Sequence, residues 1–97
     1  MSTIEDYILE RYTQVPLSEV IPDDQNVRQY FTMKEITSLA KSIADKGQIQ
    51  PSLVEFKDGK YYLVSGNKRY YAAQMAFNRG WTEADYLCVK IVKPLPE

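Results

Sequence analysis

The chain of 97 residues has no histidine, a single cysteine and only four glycines. It also lacks any apolar run near the ~18 residues that a bilayer crossing needs. The missing histidine removes the commonest general base, the usual zinc ligand and the Ser-His and Cys-His nucleophile arrangements. Cys88 has no partner for an internal disulfide, and its alternating apolar surroundings read as the setting of a small buried thiol. The opening residues Met1 to Asp6 lack the basic flank of a signal peptide, so the cytoplasm is the default compartment and no membrane contact is expected.

A strong charge of either sign is absent too. The net charge is −1, which argues against an autonomous, sequence-independent grip on DNA. The charges are unevenly spread: residues 1–50 carry five basic and eight acidic groups, residues 51–97 seven basic and five acidic. An anion would meet the second half. Acidic residues form no cluster with metal-ligand spacing: Asp23 and Asp24 sit in a turn and Asp58 in a hairpin, so a metal-dependent nuclease has little support.

What is present is ordinary for one globular domain, with 44% apolar and 26% charged residues. Ser2 and Glu5 have capping-box spacing, and the stretch from Ser2 to about Tyr12 is expected as a helix. Val15 to Pro22 alternates loosely between two prolines, which predicts a short edge strand followed by a turn at Asp23–Asn26. Thr32 and Glu35 form a second capping box, with Met33, Ile36, Leu39, Ala40 and Ile43 at helical spacing and Gly47 ending the helix. Asp58-Gly59 between two β-rich runs predicts a type I′ hairpin. A third helix is expected from about Asn67 to Arg79, stopped by Gly80, and a last strand over Tyr86–Val92. The fold class is therefore a single α/β (α+β) domain, with a small mixed sheet, one β-hairpin and about three helices.

Three stretches are candidates for chemistry. In "VSGNKRYYAAQ" a strand leaves through Ser65-Gly66 into a helix whose first turn carries Asn67, Lys68 and Arg69. The first N–H groups of a helix lack internal partners and carry the positive end of its dipole, and Arg69 can bind phosphate through a bidentate fork. Cations at a helix start oppose that dipole unless an anion compensates them. Local physics leaves a phosphate cradle and a solvated helix start as equal readings. In "KGQIQP", Gln48 and Gln50 read either as solvated loop residues or as readers of a base or sugar edge, since a carboxamide both donates and accepts. Arg28 is a surface or tethering residue or an accessory cation, and the tyrosines near Lys60, Lys68 and Arg69 either stack on bases or fill alternate hairpin positions.

Taken in order, "PLSEVIPDDQNVRQYF", "EITSLAKSIADKGQIQPSLVE" and "YYLVSGNKRYYAAQMA" resemble the N-terminal domain of the ParB family, of ParB/sulfiredoxin-like fold. The likeness runs from Pro16 to Ala76 and extends towards Val92, with a domain core of about 15–92. It implies a pocket for CTP or another nucleoside triphosphate with Mg²⁺. In that family a Gly-Glu-Arg-Arg-x-Arg-Ala motif binds the phosphates and a Gly-x-x-Gln-Pro segment helps form the pocket. Gly66, Arg69 and Ala72 match the first motif, and Gly47, Gln50 and Pro51 match the second. The binding set implied is Gly47, Gln50, Pro51, Ser65, Gly66, Asn67, Lys68 and Arg69, with Arg28 and Tyr71 as accessories.

Asn67, Lys68 and Tyr71 depart from the motif: a carboxylate, a guanidinium fork and a third cation are missing. Binding without turnover is the expectation. The sulfiredoxin branch needs a cysteine within its Gly-Cys-His-Arg motif, where this chain has Asn67 and Lys68, so that activity is not expected. The resemblance further implies a stand-alone ParB-like module or a fragment of a longer protein. Its roles would lie in DNA partition, plasmid or phage maintenance, or gene regulation, with DNA, a partner protein or a homodimer as partners. The alternatives are an idle interaction module and, behind it, a DNA-nicking nuclease or ATP-dependent phosphotransferase.

Overall fold

The computed structural model describes residues 7–22 and 31–94, except for the side chains of 7–11 and 94. Strand β1 (Tyr7–Pro16) leads through a 3₁₀ turn (Leu17–Glu19) into the two-residue β2 (Val20–Ile21). Helix α1 (Met33–Lys46) follows, then the hairpin β3 (Ser52–Lys57) and β4 (Lys60–Ser65), helix α2 (Asn67–Asn78) and strand β5 (Tyr86–Pro94). The five strands form one mixed sheet in the order β1-β5-β3-β4-β2. Pairing is antiparallel for β1/β5 and β3/β4, parallel for β5/β3 and β4/β2.

The expected N-terminal helix is a strand over its described part. Tyr7–Pro16 pairs along its length with β5, from Tyr7 opposite Pro94 to Pro16 opposite Tyr86, with one register shift between Leu9 and Arg11. The cause is tertiary. β5 is interior to the sheet and buries Leu87, Val89, Ile91 and Val92, so its edge away from β3 needs a partner, and that demand outweighs a local helical stripe. The capping pair Ser2/Glu5, the turn at Asp23–Asn26 and Arg28 lie outside the described residues. Two α-helices, rather than about three, are found among the described residues.

Other expectations hold. Val15–Pro22 is split by the 3₁₀ turn, yet both of its extended pieces belong to edge strands, as its prolines require. The Thr32 hydroxyl accepts from the Glu35 N–H and the Glu35 carboxylate accepts from the Thr32 N–H, each at 3.1 Å, which completes the capping box. The hairpin turn has φ +54° at Asp58 and +78° at Gly59, both positive as type I′ demands.

The main core lies on one face of the sheet: Val15, Leu17, Val20, Val54, Leu63, Leu87, Val89 and Ile91, with Ala73 and Tyr70 of α2 packed on it. A second cluster joins Ala72 and Ala76 of α2 to Ala40 and Ile43 of α1. Alanines on two sides of α2 let it pass close to both the sheet and α1. Ala76 is fully buried, so Ala76→Leu should overpack this seam and cost about 1–3 kcal/mol. Thermal unfolding checks this, with roughly 4–8 °C lost per kcal/mol. Among the described residues no helix is long and apolar enough to cross a membrane.

Candidate phosphate-binding site

The site forms where two chain reversals meet. The first is Ser65-Gly66, between β4 and α2. Gly66 is the N-cap of α2 with φ +89° and ψ +27°, a left-handed conformation that side chains disfavour. A Cβ there would lie 2.5 Å from Ser52 Oγ, 2.8 Å from Ser52 Cβ and 3.0 Å from Ser52 Cα. The missing side chain thus serves the contact between the helix start and β3, a requirement independent of any ligand. Ser52 is 1% exposed and its hydroxyl donates to the Gly66 carbonyl at 3.1 Å, which locks the turn to the sheet.

Helix α2 begins with no side-chain cap at Gly66 and no acid in its first turn. Lys68 and Arg69 therefore add full charges to the positive end of the dipole without a neighbouring carboxylate on that turn. Lys68 is half-buried, its Nζ 6.0 Å from the Phe31 ring centroid. Tyr70 and Tyr71 stack edge to face, with centroids 5.1 Å apart.

The second reversal is the loop from Gly47 to Pro51, between α1 and β3. Gly47 ends α1 with φ +81°, its N–H donating to the Ile43 carbonyl at 2.8 Å. Gln50 is exposed and its Oε1 accepts a hydrogen bond from Arg69 Nη2, which joins the two reversals. Between them lies a cavity of about 210 Å³ lined by Leu39, Ser42, Ile43, Gly47, Gln48, Ile49, Gln50 and Arg69. One wall is apolar (Leu39, Ile43, Ile49), and Gln50 and Arg69 supply polar groups. No carboxylate lines it.

Of the residues singled out in the sequence, Gly47, Gln50 and Arg69 share this cavity. Ser65, Gly66, Asn67 and Lys68 are contiguous with Arg69 at the start of α2 but do not line it, and neither do Pro51 and Tyr71. Gln48 is corrected in one respect: its carboxamide is not free to read a base edge. Its Nε2 donates to the Tyr86 carbonyl at 2.8 Å, and its Oε1 accepts from the Cys88 N–H at 2.7 Å. The orientation of the amide follows from those two partners, since only one assignment satisfies both. Cys88 is half-buried, and burial pushes its thiol up from the ordinary range.

The family model for the ParB N-terminal domain matches residues 2–93. The chain belongs to the ParB N-terminal domain family. A nucleoid occlusion protein of Geobacillus sp. (strain WCH70) is 34% identical over 82 residues, 84% of this chain and 28% of that protein. The C-terminally truncated chromosome-partitioning protein ParB from Caulobacter crescentus, complexed with CTP-gamma-S, superposes with a TM-score of 0.71. The match spans 91% of this chain and 47% of that one at 24% identity, a likeness of fold. Sulfiredoxin from Arabidopsis thaliana superposes with a TM-score of 0.69 at 26% identity, covering 87% of this chain and 86% of that one. The ParB-like domain described here spans about a quarter of the length of the curated relatives it matches.

Proposed function

We propose that this domain binds the phosphates of a nucleoside triphosphate, CTP first among them, in the service of DNA partition or nucleoid organisation. The observation that carries the proposal is the meeting of Gln50 and Arg69 across one cavity, beside a helix start that holds Lys68 and no acid. Family membership and the CTP-gamma-S bound to the Caulobacter crescentus neighbour support the choice of ligand.

Each group has a defined part. The opening N–H groups of α2 face the anion with the dipole behind them, Arg69 offers a planar fork, and Lys68 a point charge. Leu39, Ile43 and Ile49 offer an apolar surface to the rest of the ligand. At about 210 Å³ the cavity is smaller than the ~300–1,000 Å³ typical of sites that engulf a ligand, so the nucleotide would be held partly in solvent. The described residues contain no group of three or more His, Cys, Asp or Glu able to hold a metal. Mg²⁺ would then enter on the phosphates, and the protein's own contribution is positive charge and backbone donors. With no carboxylate in the cavity wall, the reading is binding without cleavage. DNA contact by this domain alone should be weak, given its net charge of −1.

The small cavity also favours a second reading, an interaction module that keeps the fold without the ligand. One titration separates the two. Calorimetry with CTP, ATP and GTP, with and without Mg²⁺, should give saturable binding for at least CTP. Silence at millimolar ligand would leave the interaction module standing.

A further inference from the structure

Strand β3 begins at Ser52, but its partner β5 begins six residues deep at Tyr86, and this offset leaves an unpaired stretch of ladder. Ser52 stands opposite Val89 and Leu53 opposite Lys90 in a parallel register. Continued back by two residues, that register sets position 50 opposite Leu87. In a parallel ladder the residue opposite Leu87 would donate its N–H to the Tyr86 carbonyl and accept from the Cys88 N–H. Those two groups are the partners of the Gln48 side chain, at 2.8 and 2.7 Å. A carboxamide has the same donor and acceptor as a peptide group, and here it stands in for the missing rung.

The substitution has a consequence for the site. Were residue 50 to pair with β5 itself, it would lie in the sheet and its neighbours would extend the strand. Instead Pro51, which has no N–H to offer a ladder, stands immediately before β3, and the chain bends outward at Gln50. That bend leaves Gln50 exposed, Ile49 74% exposed at the cavity wall, and the Gln50 Oε1 against the Arg69 guanidinium. We infer that Gln48 is the positioning residue of this site: by closing the β5 ladder with its side chain, it releases residues 49–51 from the sheet and sets Gln50 where it orients Arg69. The inference adds a residue to the phosphate site proposed above and rests on that reading only for its effect on affinity; the coupling itself exists in the ligand-free protein.

The test uses the whole chain without ligand first. Side-chain NMR of the Gln50 amide and the Arg69 Nε–H reports their contact, and amide exchange at Cys88 reports the substituted rung. Gln48→Leu loses both hydrogen bonds; Gln48→Glu keeps the acceptor for the Cys88 N–H but turns an oxygen towards the Tyr86 carbonyl. The expected result is faster Cys88 exchange in Gln48→Leu, with Gln50 and Arg69 signals moving to those of solvated side chains. Ala76→Leu, destabilised elsewhere, should leave them unmoved. Affinity for CTP should then fall about tenfold, or ~1.4 kcal/mol. Unchanged Gln50 and Arg69 signals in folded Gln48→Leu overturn the assignment, as do equal changes in Ala76→Leu. Should Gln48→Leu fail to fold, the same signals in Gln48→Glu decide. If the wild type proves silent to nucleotides, the phosphate reading fails while the ligand-free spectra still judge Gln48.

Discussion

Replacing Arg69 by alanine should lower affinity for a nucleoside triphosphate by about one to two orders of magnitude, with little change in fold. Arg69 is the one cation that lines the cavity and also stands in the first turn of α2, and its described partner is the neutral carboxamide of Gln50. A carboxylate partner would have cancelled its charge; a carboxamide orients the fork and leaves the charge available. A hydrogen bond to a charged group is worth about 1.5–3 kcal/mol, which sets the expected loss. Arg69→Lys should fall between the two proteins, because the charge survives and the bidentate geometry does not. Calorimetric titration of the three proteins at one ionic strength checks the order. Equal affinities for wild type and Arg69→Ala would remove this residue from the site.

The second large effect concerns stability. Gly66→Ala should cost about 3 kcal/mol, from two sources. Placing a side chain at φ +89° costs roughly 1–2 kcal/mol, and a Cβ within 3.0 Å of Ser52 forces α2 or β3 to shift, a strain of similar size. With 4–8 °C per kcal/mol, Tm should drop by roughly 12–24 °C. The two sources separate in a double-mutant cycle. Ser52→Gly removes the Oγ and Cβ contacts, so Gly66→Ala in that background should cost only the left-handed share. Equal costs in both backgrounds would dismiss the steric half. Reduced ligand binding by Gly66→Ala would, on this account, follow from a displaced helix start rather than from a blocked ligand.

Most of the local architecture could be read from the chain. The Thr32/Glu35 box, the Asp58-Gly59 turn and the α2 boundaries rest on contacts within a few residues, and such signals are complete in the sequence. Family membership was legible for the same reason, since "KGQIQP" and "SGNKR" keep their spacing whatever the remainder does. The strand at Tyr7–Pro16 was not legible. An apolar stretch of that length fits a helix or a strand, and only the unfilled edge of β5, some eighty residues along the chain, selects the strand.

Gln48 shows the same division within the site. Its neighbour Pro51 hints that β3 cannot start earlier, because a proline brings no N–H to a ladder. Nothing local says that a side chain will close the gap, for that depends on the register of β3 against β5. By itself the sequence determined the elements, the turn chemistry and a basic, acid-free helix start, all properties of short segments. The tertiary structure decided three things: that Gly66 answers to Ser52, that Gln50 faces Arg69, and that Gln48 belongs to the sheet. Each is a contact between residues fourteen to forty apart, where geometry is set by the packing of the whole sheet against α2 and not by any local preference.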